Sequence, residues 1–251
     1  METADVIVIG GGMVGAAIAY GLARAGADAL MLDEGDDALR TARGNFGLVW
    51  TQSKGRGLQR YQEWSRESAM LWTGFAAEIE ASTGIQTGHQ QRGGLMLCLS
   101  EAESAQSQAL IDEMRTQAGN TPYDARMIDR TAVEALVPGV RFGEELCAAS
   151  YCPHDGHANP LKLLRGMYAG FQAAGGRYRP NSGAAEIERV DAAYVVVTGD
   201  GRRFGAAKVV IACGHGIPEL AAKADLHCPT RPQRGQILVT ERIAPILPFP
   251  L

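Results

Sequence analysis

The sequence predicts an α/β fold: a parallel βαβ unit at its start, interleaved with an irregular α+β portion. Three observations carry this. Asp5-Val-Ile-Val-Ile9 is an apolar run led by one acid, the pattern of a central parallel strand buried on both faces. A glycine turn, Gly10-Gly-Gly-Met-Val-Gly15, follows at once and opens a helix from Val14 to Arg24. A second apolar run then ends in Leu32-Asp33-Glu34-Gly35. A helix of roughly 16 Å and six-residue strands of about 20 Å make the three pieces geometrically consistent as one unit.

Each part of the turn has a physical reason. Gly10 permits the tight bend, Gly12 lacks a side chain where a pyrophosphate must approach backbone N–H groups, and Gly15 lets the helix lie close to the sheet. The helix start then presents its dipole and unpaired N–H groups to phosphate. Asp33 places a carboxylate at the end of the second strand, where ribose hydroxyls can donate to it. The frame points to a dinucleotide. A glycine turn with no ligand is the plainer alternative, and the triplet without its strand–helix–strand frame does not decide between them.

The whole chain has 251 residues, 46% hydrophobic and 21% charged, enough for one large or two modest domains. Its 24 basic and 28 acidic residues leave a net charge of −4 with no basic run, so no nucleic-acid partner is expected. No apolar segment reaches the ~18 residues that span a bilayer. Glu2 and Asp5 stand where a secretion signal would be basic, so the N-terminus reads as the first strand of a cytoplasmic protein. The five cysteines (Cys98, Cys147, Cys152, Cys213, Cys228) are odd in number and widely spaced, against a disulfide framework. Cys152-Pro-His154-Asp-Gly-His157 lacks the paired spacing of a structural metal site and reads as a turn; no metal is expected.

A long glycine-bearing loop, Arg40 to Gly57, follows the ribose acid and either lines a flat ligand with its backbone or is a plain surface loop. Leu58 to Thr83 reads as an amphipathic helix whose apolar positions Tyr61, Trp64, Leu71, Trp72, Phe75 and Ile79 form one buried stripe. Gln91–Ser100 is a glycine-led strand, Glu101–Ala118 a polar helix, and Tyr123–Ile128 a short strand. Arg130–Leu136 is a short helix and Glu145–Tyr151 another strand. This stretch has no βαβ regularity and reads as part of a second domain. A helix then runs from Pro160 to Ala174, with Asn159 as N-cap, and ends at Gly175-Gly176. Strands follow at Ala185–Val190, Tyr194–Thr198 and Arg203–Ala212, the last ending in the small-residue turn Ala212-Cys213-Gly214, a second place where a dinucleotide can meet backbone. Arg231 to Glu241 is the final expected strand, unpartnered and so an open apolar edge, before a proline-rich apolar tail.

Four stretches occur in order: Gly10-x-Gly12-x-x-Gly15 with Asp33; Arg40-Thr-Ala-Arg-Gly-Asn-Phe-Gly47; Gly156-His-Ala-Asn-Pro160; and Val209-Val-Ile-Ala-Cys-Gly214. Pro232-Gln-Arg-Gly-Gln236 adds a fifth. Through them the chain resembles, over essentially its whole length, the D-amino-acid-oxidase-like family of FAD-dependent oxidoreductases. The likeness is to the glycine oxidase and sarcosine oxidase type, in particular the flavoprotein subunits of bacterial hydrogen cyanide synthase and opine oxidase.

The resemblance implies a Rossmann-like FAD-binding domain of the glutathione-reductase type, with an inserted α+β substrate domain on a mostly antiparallel sheet. Residues 1–90 and 150–230 would form the FAD domain, and 91–149 with 231–251 part of the substrate domain. Gly10, Gly12, Met13, Val14 and Gly15 would hold the FAD pyrophosphate. Asp33 would hold the adenosine ribose, with Glu34 the alternative if the register slips by one. Arg43, Gly44, Asn45, Gly47 and Leu48 match the family loop from ribose to flavin ring. Ala184 matches the backbone site beside the adenine, and Ala212, Cys213 and Gly214 the small-residue turn near the cofactor. Cys213 is then a small packed residue in preference to a nucleophile.

The implied reaction oxidises a C–N bond beside a carboxylate in a small amino acid or secondary amine, with hydride passing to flavin N5 and the imine hydrolysing. The flavin carries that chemistry, so no catalytic side chain is assigned, and His154, His157 and His215 read as turn or cap residues. Arg92 and Lys54 face either the substrate carboxylate or solvent. A nicotinamide-dependent dehydrogenase is the runner-up, with the long loop and the second turn against it. A flavin-binding subunit or inactive N-terminal fragment is the other alternative, because the family's glycine-rich return segment has no counterpart before Leu251. Partners implied are an amine or amino-acid substrate, a partner subunit or peripheral membrane electron acceptor, and a second copy of the chain. The expected location is cytoplasmic, with the inner membrane face as a peripheral alternative.

Overall fold

The computed structural model describes residues 1–35, 41–119, 122–239, 241, 244 and 246–251. Arg40, which heads the loop motif, and Thr240 of the expected last strand lie outside the described residues. In chain order the elements are β1 (Glu2–Ile9), α1 (Met13–Arg24), β2 (Ala29–Leu32), a 3-10 turn (Thr41–Gly44), β3 (Leu48–Val49), α2 (Gln59–Thr83), β4 (Gly94–Cys98), α3 (Glu101–Ala118), β5 (Arg126–Asp129) and α4 (Arg130–Leu136). There follow β6 (Ala148–Cys152), β7 (Gly156–His157), α5 (Pro160–Ala173), β8 (Arg177–Arg179), β9 (Ala184–Val190), β10 (Ala193–Thr198), β11 (Arg203–Ile211), a 3-10 turn (Gly214–Gly216) and α6 (Ile217–Ala222).

The chain divides into two units. The first holds residues 1–46, 79–87 and 160–238. Its sheet runs β8-β2-β1-β11-β10-β9. The β8, β2, β1 and β11 pairings are parallel, and β10 turns the far side antiparallel. Ile7, Val8, Leu30, Met31 and Leu32 are fully buried, as central parallel strands covered on both faces require. Each such side chain contributes about 1.5–3 kcal/mol on burial. Helix α1 covers the sheet with small residues, Gly15, Ala16, Ala19 and Ala23, and with Tyr20. Helix α5 lies against α1, and the contact is tight at Gly170, where a Cβ would come within 2.7 Å of the Tyr20 ring. At the outer edge, Arg177 and Arg179 of β8 bind the Glu2 carboxylate, which fastens β8 to the start of β1.

The second unit holds residues 47–78, 88–159 and 239–251. An antiparallel sheet β4-β6-β5 stands beside a short β3-β7 ladder. Two helices start where the sequence supplies caps: Ser100 accepts from the Glu103 N–H and Asp129 from the Ala132 N–H. Leu95, Val133, Val137, Leu146 and Ala149 form the core, and Phe249 joins them. This grouping differs from the expected division: residues 47–78, 88–90 and 150–159 cluster with the second unit, and 231–238 with the first.

Three expectations are corrected. First, the described residues of the Arg231–Glu241 run form no strand. Among the described residues no ladder partner runs beside them, and Leu238 is 96% exposed, so local β propensity finds no pairing there. Second, part of the apolar tail is tied into the second unit. Phe249 packs edge-on to Tyr151 in the core, and the Pro250 carbonyl accepts the Leu95 N–H of β4. Third, α2 buries only part of the expected stripe. Ile79 is buried and Trp72 and Phe75 are half-buried, whereas Tyr61, Trp64 and Leu71 are exposed, Trp64 at 69%, and Gln62, Ala69 and Ala76 are buried instead. Small residues let the helix approach closely, and the Gln62 amide donates to the Met114 carbonyl at 2.8 Å, so a polar residue sits satisfied where a ring was expected.

Candidate functional site

Within the first unit a cleft of about 770 Å³ opens beyond the carboxyl ends of β1, β2 and β11. That is where a parallel sheet presents its loops. One wall is Gly10, Gly12, Met13 and Val14; the next is Asp33 and Glu34. Thr41, Ala42 and Asn45 close one side, Gly183 to Ala185 another, and Ala212 to Gly216 with Glu219 and Lys223 the last. The two turns are neighbours because β1 and β11 pair, and the ladder continues into them as the Ala212 N–H donates to the Ile9 carbonyl at 2.8 Å.

The glycines of the first turn differ in what surrounds them. Gly10 has a φ of 108°, and a Cβ there would strike the Ala212 carbonyl and the Cys213 Cα. At Gly15 a Cβ would strike the Gly10 carbonyl, and at Gly11 the Tyr168 hydroxyl and the Asp33 carboxyl. At Gly12 a Cβ would meet no described atom within 4 Å. Gly12 is also the N-cap of α1, without a side chain to satisfy the first N–H groups of the helix. Open space beside uncapped N–H groups fits a phosphate.

Asp33 is buried, and its carboxylate accepts the Gly11 N–H on Oδ2 and the Gly35 N–H at 2.9 Å on Oδ1. The acid thus braces the turn from the cleft wall, the place where a ribose hydroxyl would donate to it. Glu34 is exposed beside it in the cleft wall. On the opposite wall burial pushes the Cys213 thiol up, which keeps it protonated and unlike a nucleophile. His215 Nε2 lies 3.4 Å from Thr41 Oγ1, and Lys223 Nζ donates to the Ala185 carbonyl at 2.7 Å.

Of the residues expected at the cofactor, the cleft brings together Gly10, Gly12, Met13, Val14, Asp33, Glu34, Asn45, Ala184, Ala212, Cys213 and Gly214. Gly15 packs beneath the turn and does not line the cleft, while Arg43 and Gly44 are exposed and also outside its lining. Gly47 and Leu48 group with the second unit. Thr41, His215, Glu219 and Lys223 line the cleft in addition to the residues expected there. The four-residue spacing of Glu219 and Lys223 on a helix just after the second turn was a readable signal. Gly11 and Tyr168, which shape the turn from behind, gave no signal in the spacing.

The Cys152–His157 turn in the second unit is anchored by an acid. Asp155 is fully buried and accepts the Thr51 N–H at 2.6 Å, the Thr51 hydroxyl at 2.8 Å and the Gln52 amide at 2.8 Å. Burial nevertheless pushes its carboxyl up from the usual range. Burial likewise raises the Cys152 thiol. The His154 ring meets Asp124, which also binds Arg66, and burial and the Arg92 charge lower His157. Among the described residues no three His, Cys, Asp or Glu side chains come together to hold a metal. No helix among them is long and apolar enough to cross a membrane.

Comparison with known proteins agrees with this geometry. The family model described as "FAD dependent oxidoreductase" matches residues 5–250. A subunit of the opine oxidase of Agrobacterium tumefaciens (strain Ach5) is 36% identical over 248 residues, 99% of this chain and 66% of that protein. The mitochondrial dimethylglycine dehydrogenase of Homo sapiens is 26% identical over 250 residues, 98% of this chain and 27% of that protein. The crystal structure of glycine oxidase from Geobacillus kaustophilus superposes with a TM-score of 0.79 at 23% identity, covering 90% of this chain and 59% of that one. The chain thus spans just under two thirds of the length of the opine oxidase protein and much less of the dehydrogenase. With its α/β fold, its strand-end cleft and a family match along nearly its whole length, the chain belongs to the DAO family of FAD-dependent oxidoreductases.

Proposed function

We propose that the cleft holds the dinucleotide part of FAD and that the chain serves a flavin-dependent oxidation of a C–N bond in a small amino acid or secondary amine. The observation that carries this is the open space at Gly12. A glycine whose missing side chain would touch no described atom, at an uncapped helix start, leaves room and donors for a pyrophosphate. Asp33, with Glu34 beside it, supplies acceptors for the adenosine ribose, the Ala184 backbone borders the adenine, and Asn45 and Ala212 to Gly214 border the path onward.

Bound FAD supplies the two-electron acceptor. The chain's own residues bind and orient it, and the protonated Cys213 thiol presents a small neutral surface without competing as a nucleophile. The substrate class rests on the relatives: their names specify an opine, dimethylglycine and glycine, and the last two carry nitrogen on the carbon beside a carboxylate. A role as one component of a larger enzyme is favoured by the likeness to a protein named as a subunit.

The test is the visible absorption of the purified protein, followed by release of the chromophore on denaturation. Flavin bands, with FAD recovered in the supernatant, are expected. A colourless protein that takes up no FAD on titration would sink the assignment.

A further inference from the structure

We infer that Tyr168 is a positioning residue for the cofactor: its hydroxyl holds the Gly11–Gly12 peptide so that the Gly12 N–H faces the cleft. This rests on the reading that the cleft holds FAD. Tyr168 projects from α5, 157 positions from the turn, and donates to the Gly11 carbonyl. That peptide is trans, so its carbonyl and the Gly12 N–H point to opposite sides. Gly12 lines the cleft and Tyr168 does not. Holding the carbonyl on the α5 side therefore sends the N–H to the open side, where a Cβ on Gly12 would meet no described atom.

The other end of Gly11 is held as well, its N–H bound to Asp33 Oδ2. With both groups of the residue engaged, the donor is set before a ligand arrives, and binding need not restrain the peptide. The phenol is itself steadied: its ring lies against Tyr178 of β8, centroids 5.0 Å apart and planes tilted by 31°. Gly11 is the residue that permits all of this, since any side chain would fall on the Tyr168 hydroxyl and the Asp33 carboxyl together.

The test compares ligands with and without phosphate. Wild type and Tyr168→Phe, both as the 251-residue chain, are titrated with FAD, ADP and adenosine and melted without ligand. FAD and ADP should each bind about tenfold more weakly to Tyr168→Phe, because the ligand must then restrain a peptide that wild type already holds. Adenosine affinity should stay as in wild type, and the melting temperature should fall by no more than about 4 °C, the loss of one hydrogen bond. Unchanged FAD and ADP affinity, or an equal loss for all three ligands, overturns the role of Tyr168. Tyr178→Phe keeps the supporting ring and should leave the ratio of ADP to adenosine affinity as it is; the same shift in that variant also overturns it. A wild type that binds neither FAD nor ADP refutes the cofactor reading instead, and the role of Tyr168 falls with it.

Discussion

The two turns that meet in the cleft are built on opposite plans. Gly10 to Gly12 is held from behind: Gly10 is wedged against the Ala212–Cys213 backbone, and Gly11 is tied to Asp33 by its N–H and to Tyr168 by its carbonyl. The turn from Ala212 to Gly214 hangs from the end of β11 through the Ala212 N–H, and a Cβ on Gly214 would meet no described atom within 4 Å. Glycine therefore has two meanings here. Gly10, Gly11 and Gly15 lack side chains because protein fills the space, whereas Gly12 and Gly214 lack them where the space is left open.

Substitutions should separate these meanings. The largest effect is expected for Gly10→Ala, which puts a side chain at a φ of 108° and against backbone. Strain and overpacking together should lower unfolding free energy by about 3 kcal/mol, read by denaturant titration. Loss of FAD in that variant would say nothing about phosphate, since the turn itself is damaged. Gly12→Val should do the reverse. Stability should fall by no more than about 1 kcal/mol, while FAD retention disappears because the methyl groups occupy the open space. Normal flavin content in Gly12→Val would refute the placement of the phosphates.

The acids come next. Asp33→Asn leaves a buried N–H of Gly11 or Gly35 poorly matched and should cost about 1–3 kcal/mol. Glu34→Gln at the exposed neighbour should stay within about 0.5 kcal/mol. Titrating FAD into both variants tells which carboxylate meets the ribose: the weaker binder identifies it, and a loss confined to Glu34→Gln would transfer the role from Asp33.

The smallest effect lies in the second unit. Burial raises the Asp155 carboxyl in the folded state, so the folded chain binds that proton more readily than the unfolded one. This group's contribution is then present at acid pH and lost as pH rises from the unfolded carboxylate range through the raised value. The stability advantage of wild type over Asp155→Asn should shrink across that window. An advantage that grows with pH would show that the hydrogen bonds from Thr51 and Gln52 outweigh burial.

What could be read in advance was what neighbours in sequence decide. The βαβ start declares itself in five apolar residues, three spaced glycines and an acid. Helices α3 and α4 begin where Ser100 and Asp129 accept from the N–H three residues on. The misreadings share one cause, a partner that local sequence cannot name. Residues 231–239 have strand-like composition but no neighbouring strand among the described residues, and Phe249 looks like an idle apolar tail until the Leu95 core receives it. In α2 the large rings suggested the buried face, yet Ala69 and Ala76 take part of it because close approach favours small residues. At the cleft the glycines and Asp33 could be named from spacing, whereas Tyr168 could not, since only the packing of α5 on α1 brings it to the turn.

That packing has a bearing on how the molecule opens. The Tyr20 ring occupies the room left by Gly170, so neither helix can slide or lift without displacing the other. Residues 160–173 are therefore expected to open together with the glycine turn. Amides of α1 and α5 should exchange with solvent together, and a lesion anywhere along α5 should be felt as increased breathing of the first turn.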